Sequence, residues 1–345
     1  MNKRNNRRVK LTDIAAKTGF TVGTISKALQ NKEGIALETR ASIIKAAQEI
    51  GYIANSQAGG LRSGSSKTVA IIVSDIANPL FAIEIKICVS ELEQQGYRAI
   101  VMGTEERAER EEQAVDSALN KNVDGVLLCP TQKSLDGIRL LQQNGTPFVL
   151  MGRRFDNLDA DYVVCDDEKG GYLAGQHLAE LGHERILVLT ADPRISSSSE
   201  RLRGFQRAMQ ERGVEIDPKL IVEMDASASD IGRKIEEILA SGLDFTAIFA
   251  FSDYIAWETI YALNSHGVRV PEDVSIVGFD DVQSHMRFPP PLTTVHFPKR
   301  TVSARCVELL LEQIRRGGDA PVQQVLDAYL VVRSTTASPR KRAGN

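Results

Sequence analysis

Beyond Thr68 the chain alternates short apolar runs with longer amphipathic stretches. Val69–Val73, Ala99–Met102, Val126–Cys129, Phe148–Met151, Ile186–Leu189, Thr246–Ala250 and Val274–Val277 have the length and β-branched content of buried parallel strands. Between them, Phe81–Gln95, Glu109–Lys121, Gly171–Leu181, Ser199–Arg212 and Ile255–His266 carry helical periodicity. The alternation predicts α/β units. The runs are too many for one comfortable sheet and fall into two groups that part near Asp166, so two lobes are expected. Open α/β sheets bind at strand C-termini, so ligand contacts are expected there.

The N-terminal segment follows a different period. Thr12 is placed to cap a helix over Asp13–Thr18, and Gly19 to end it in the left-handed conformation that other residues resist. Thr21 is placed to cap a second helix over Val22–Leu29. Ile14, Ala15, Ile25 and Leu29 recur at helical spacing and share an apolar face. A third helix over Glu38–Ile50 turns Ile43, Ile44, Ala47 and Ile50 inward and ends at Gly51. Two short helices joined by a Gly-containing turn make a helix-turn-helix pattern.

Charge sharpens this division. The net charge of −3 conceals 11 Lys/Arg against 4 Asp/Glu in residues 1–62, and 31 against 41 in the rest. A head of +7, including Lys3, Arg4, Arg7 and Arg8, suits a polyanion, because cations on phosphates release condensed counterions. Residues 55–66, polar and broken by Gly59, Gly60 and Gly64, read as a linker.

Thr12-Asp13-Ile14-Ala15, Thr24-Ile25-Ser26-Lys27-Ala28-Leu29, Glu38-Thr39-Arg40 and Gly51-Tyr52 resemble the head of the lactose/galactose repressor family of bacterial regulators. The body continues the likeness in Asn78-Pro79-Leu80-Phe81, Gly152-Arg153, Arg201-Leu202-Arg203-Gly204-Phe205, Val277-Gly278-Phe279-Asp280-Asp281 and Val332-Arg333-Ser334-Thr335. The likeness implies a second helix seated in the major groove. DNA contacts would then fall on Thr12, Thr21, Val22, Gly23, Thr24, Ser26 and Lys27. Asn55, Ala58 and Leu61 would follow from a hinge that folds on the operator, with Leu61 as a minor-groove wedge. Lys27 stands where the family usually has Arg, Gln30 where Asn is customary, and Ala36 where a capping Ser is usual.

For the body the likeness implies a fold similar to periplasmic sugar-binding proteins, crossed three times between lobes, with Pro291–Thr301 returning towards the first lobe. The expected fold class is α/β, an all-helical head plus a two-lobed body with parallel sheets. The expected organisation is a head at 1–54, a hinge at 55–67, a body at 68–338 and a tail at 339–345. The first lobe takes 68–165 and 292–322, and the second 166–291 and 323–338. Effector contacts are expected at Asn78, Phe81, Arg153, Ser197, Arg201, Ser252, Asp253, Asp280 and Phe297. Arg201 and Asp280 would offer a donor fork and an acceptor pair to neighbouring hydroxyls, while Asp253 is equally suited to cap the helix after it. Arg153-Arg154 leaves an acidic ligand open, and His183 reads as a structural turn residue.

Other classes find less support. The chain lacks G-x-x-x-x-G-K-[ST], a strand-linked G-x-G-x-x-G and a G-x-S-x-G elbow, so no enzyme and no cofactor are expected. Cys88, Cys129, Cys165 and Cys306 form no C-x-x-C pair, which argues against a metal and fits a reducing cytoplasm. No signal peptide or membrane span is read. The expectation is a regulator, a repressor before an activator. Its partners would be double-stranded operator DNA, a sugar-like effector and a second copy of itself, as a homodimer or a tetramer.

Overall fold

A computed structural model describes residues 9–52, 65–224, 230–285, 290–317 and 320–340, and the chain divides into units 1–66 and 67–345. Lys3, Arg4, Arg7 and Arg8, the hinge positions Asn55, Ala58 and Leu61, and tail residues 341–345 lie outside the described residues.

The first unit holds α1 (Leu11–Thr18), α2 (Val22–Leu29) and α3 (Leu37–Glu49). Ile14, Ile25, Ala28, Ile43 and Ala47 form its core. Gly19 ends α1 at φ 76° and returns its N–H to Ala15 O, while the Thr21 hydroxyl accepts from Thr24 N–H at the start of α2. Two expectations are corrected. Lys10, not Thr12, is the cap of α1, because the Asp13 carboxylate reaches back to the Lys10 N–H at 2.7 Å and draws the helix start two residues earlier. Ile44 is 39% exposed, since the helical phase that buries Ile43, Ala46 and Ala47 turns it outward. Lys17 of α1 meets Glu49 of α3 at 2.6 Å across the surface.

The second unit contains two sheets. Strands β1 (Thr68–Val73), β2 (Arg98–Gly103), β3 (Gly125–Leu128), β4 (Phe148–Met151), β5 (Tyr162–Cys165) and β11 (Gln323–Leu326) form one, in the order β11-β5-β4-β3-β1-β2. The other, ordered β12-β10-β9-β8-β6-β7, holds β6 (Ile186–Thr190), β7 (Ile221–Glu223), β8 (Ala247–Ala250), β9 (Ser275–Asp280), β10 (Thr293–His296) and β12 (Tyr329–Val331). Among the described strands only β12 runs antiparallel, against β10. Helices α4 (Pro79–Gln94), α5 (Ala108–Asn120) and α6 (Asp136–Gln143) belong to the first lobe, as does α11 (Lys299–Arg316), which packs on α4, β3, β4 and β5. Helices α7 (Asp167–Glu180), α8 (Ser196–Glu211), α9 (Ile231–Ala240) and α10 (Asp253–Ser265) complete the second.

The crossings fall after Cys165, after His296 and after Leu326. This shifts two expected lobe boundaries. Residues 293–296 pair with β9 and stay in the second lobe, whereas residues 323–326 pair with β5 and belong to the first. Backbone pairing decides both, and the polar, β-branched residues of these short strands carry no mark of which sheet they join.

Close packing of α7 on α8 explains the glycines inside them. A Cβ at Gly171 would lie 2.0 Å from the Arg201 carbonyl oxygen, and one at Gly204 would lie 1.9 Å from that of Glu168. Only glycine allows the two backbones this approach, and the approach sets Arg201 of α8 beside Asp167 of α7. Among the described residues no helix is long and apolar enough to cross a membrane.

Candidate functional site

The exposed start of α2 carries Thr21, Val22, Gly23 and Lys27 at the surface, with Thr24 and Ser26 half-buried. Thr12 is exposed on α1. Val22, at the start of α2, is an apolar side chain that is 42% exposed. A Cβ at Gly23 would meet nothing closer than the Thr21 hydroxyl at 3.8 Å, so the head's own packing does not require glycine there.

In the body, a cleft with an empty volume of about 590 Å³ opens where the strands of both sheets end. Eight of the nine expected effector residues line it: Asn78, Phe81, Arg153, Ser197, Arg201, Ser252, Asp280 and Phe297. Local structure places them. Asn78 caps α4, its side chain accepting from Leu80 N–H at 3.0 Å, and Pro79 takes the first helical position where its missing N–H costs nothing. Ser252 caps α10 through the Ile255 N–H at 3.2 Å. Asp280 ends β9 at φ 114° and lines the cleft while 1% exposed.

Asp253, the ninth, is not among the lining residues. Its carboxylate accepts from the Thr294 hydroxyl at 2.5 Å and from Val282 N–H at 2.8 Å, and its Oδ1 packs where a Cβ at Gly278 would lie only 2.4 Å away. It holds the turn after β9 in place. Burial and the neighbouring Asp280 raise its pKa well above the usual carboxylate range.

The cations of the cleft are already engaged. Arg153 grips Glu106 with two bonds of 2.9 and 2.6 Å and donates to Pro130 O at 2.9 Å. Arg201 donates Nε to Asp167 at 2.7 Å and Nη1 to Phe251 O at 2.5 Å, lies over the Phe279 ring, and approaches Asp280 at 3.8 Å. Arg154 pairs with Glu200 at 2.9 Å. Lys299, fully buried at the start of α11, donates to Asp280 O at 2.8 Å and Phe297 O at 3.3 Å, and so ties the last residue of β9 to the second crossing.

Sequence reasoning missed Glu84 and Glu106, which also line the cleft. Glu84 had a signal. It stands three residues after Phe81 and three and four before Ile87 and Cys88, on the buried face of the helix, whereas Lys86 falls on the exposed face. Burial first, and Asp280 second, push its carboxyl up to about 8. Asp280 rises to about 7, driven by burial and restrained by Arg201 and Lys299. His183 is buried and bonded to Thr246, Ser275 and Ala337 O, the structural role read from its position. A second hollow, at the N-terminal ends of β4 and β5, has an empty volume of about 1050 Å³ and includes no expected site residue. Its buried Asp161 is occupied by Gln313 and the Val322 amide.

A helix-turn-helix head joined to a two-lobed α/β body with a cleft at the strand ends defines a class, that of DNA-binding transcriptional regulators with a periplasmic-binding-protein-like sensor. Residues 10–55 match the family of bacterial regulatory proteins, lacI family, and residues 176–336 match the periplasmic binding protein-like domain. The chain is 32% identical over 308 residues to the HTH-type transcriptional repressor PurR of Aliivibrio fischeri, covering 88% of this chain and 91% of that one. It superposes on the lac repressor dimer bound to operator and the anti-inducer ONPF with TM-score 0.76 at 25% identity, over 96% of this chain and 100% of that one. A LacI family regulator from Enterococcus faecalis V583 with bound ribose gives TM-score 0.70 at 30% identity, over 79% and 100%. The chain belongs to the lacI family of bacterial regulatory proteins and is a transcriptional regulator, not an enzyme.

Proposed function

We propose that this regulator is a cytoplasmic repressor that binds a two-fold symmetric operator as a homodimer and responds to a sugar or sugar derivative held in the cleft. The observation that carries the ligand class is the pairing of the cleft's guanidinium groups. Arg153 and Arg201 each have a carboxylate partner within 3 Å, and the neighbouring Arg154, outside the lining, pairs with Glu200, so none presents an uncompensated charge to an acidic ligand. What remains is a set of hydrogen-bonding groups between the apolar walls of Phe81 and Phe297, suited to a ring with many hydroxyls. Relatives support this class, since one solved structure holds ribose and another is a cellobiose complex.

For the head, the surface of Thr12, Thr21, Val22, Gly23, Thr24, Ser26 and Lys27 would meet the operator, with Asn55, Ala58 and Leu61 supplied by the hinge. The lac repressor dimer on its operator supports both the symmetry and the mode. Two experiments test the reading. Footprinting should show protection of a near-palindrome, and an asymmetric site held by one copy would refute the dimer. A thermal-shift panel of pentoses, hexoses, disaccharides and sugar phosphates should show stabilisation by a sugar without phosphate. Stabilisation by the phosphates alone would refute the ligand class.

A further inference from the structure

The cleft is unevenly equipped. Its cations are bonded within the protein, but two of its carboxyl oxygens are not. Glu84 is 2% exposed and Asp280 is 1% exposed, and Glu84 Oε1 and Asp280 Oδ1 have no hydrogen-bond partner among the described residues, Asp280 Oδ1 keeping an ion pair of 3.8 Å with Arg201 Nη1. Both residues line the same cavity. They also come from opposite walls, Glu84 from α4 of the first lobe and Asp280 from β9 of the second.

A buried acceptor without a donor is costly, and two facing one cavity specify what would relieve them. A hydroxyl brings one donor and further lone pairs, so it satisfies one carboxylate and adds acceptors of its own. An ammonium brings three donors, no acceptor and a compensating charge, and it serves both. Lys299 lends its charge to both carboxyls, but the hydrogen bonds it makes go to the carbonyls of Asp280 and Phe297 and not to either carboxyl oxygen. The aromatic walls agree independently, because Phe81 and Phe297 line the space and aromatic rings attract cations, as Phe251 beside them already does with Arg201.

We infer that the cleft takes a sugar bearing a protonated amino group, with the ammonium held between Glu84 and Asp280. The inference rests on the sugar reading above and narrows it. It also couples ligand to conformation, because one cation bridging both lobes stabilises whichever arrangement brings the two carboxyls together. Near neutral pH the empty cleft keeps a proton on Glu84, whose carboxyl is raised to about 8, and an arriving ammonium would displace it.

The test is calorimetry on the full chain with D-glucosamine, D-galactosamine and D-mannosamine, each beside its N-acetyl form and its parent hexose. At least one amino sugar should bind about tenfold or more tightly than both counterparts. Repeating the titration in buffers of different ionisation heat should show proton release, and Glu84→Gln should abolish both the preference and the release. Parent hexoses binding as tightly as the amino sugars to the wild-type chain would overturn the inference and leave the sugar reading standing. No binding by any of the nine probes would also overturn the inference, while the sugar reading would then be decided by the pentoses and disaccharides of the thermal-shift panel.

Discussion

Gln132 of the first lobe accepts from both the backbone N–H and the hydroxyl of Ser196 in the second, at 2.8 and 3.2 Å, while its own amide donates to Arg154 O at 2.6 Å. Ser196 opens α8, so the bond uses an N–H that the helix itself leaves unpaired. The contact bridges the cleft without lining it. Gln132→Ala should therefore favour lobe separation and weaken the binding of whichever sugar stabilises the protein by about tenfold, the worth of one to two net hydrogen bonds. Calorimetry with that sugar reads the change, and an unaltered affinity would mean that the contact does not bias the lobes.

Arg201 and Asp280 should not behave alike when removed. Arg201→Ala leaves Asp167 buried without its cation, and breaking such a pair costs about 3–5 kcal/mol. The variant should unfold at clearly lower temperature even without ligand. Asp280→Asn keeps the shape and tolerates the positive φ, so its melting temperature should move little while ligand affinity drops about tenfold or more. Equal melting temperatures for the two variants would show that Arg201 is only a ligand contact.

How much of this was legible in the sequence depends on what each signal encodes. Apolar runs such as Phe148–Met151 coincide with β4 because burial on both faces imposes an unbroken apolar code. The starts of α4, α7 and α10 were read two to four residues late, since Asn78, Asp166 and Ser252 cap them ahead of the first residues with a clear apolar phase. Strands β5, β7, β10, β11 and β12, of three or four residues each, escaped because runs this short carry little periodicity, and the edge and crossing strands among them are exposed or mixed in character. Eight cleft residues were placed by resemblance, whereas Glu84 and Glu106 were not. Glu106 follows β2 in a left-handed turn at φ 51°, and its pairing with Arg153 across 47 residues is a long-range fact no local pattern carries.

Stability should fall as pH rises from about 6.5 to 8. Glu84 keeps its proton up to about 8 when folded but loses it near 4.5 when unfolded, so between these values the native state binds more protons and loses its advantage as pH increases. Asp280 and Glu200, each raised to about 7, act in the same direction over the lower part of the window. Below 6.5 the lowered His177, His183 and His285 oppose them, because a histidine buried neutral favours the fold more as pH rises towards its unfolded value. Above 6.5 that opposition is spent. Melting temperatures measured between pH 6.5 and 8 should therefore decline, and the decline should be shallower in Glu84→Gln. A variant with the wild-type slope would remove Glu84 as its cause.

The start of α2 offers the sharpest separation of folding from function. Gly23 is helical, exposed and not required by any contact within the head. Glycine inside a helix is less stable than alanine by about 1 kcal/mol, so Gly23→Ala should raise the head's stability. If the glycine serves close approach to the duplex, the same change should weaken operator binding, because the added methyl group stands between the helix start and the groove floor. Lys27→Ala provides the contrast. It lies one turn further along the exposed face, where its loss should weaken specific and non-specific binding together and flatten the salt dependence by about one unit of slope. Gel-shift titrations at several salt concentrations, paired with thermal unfolding, distinguish the two. A Gly23→Ala chain that is both more stable and bound as tightly as wild type would show that the reading helix meets DNA elsewhere.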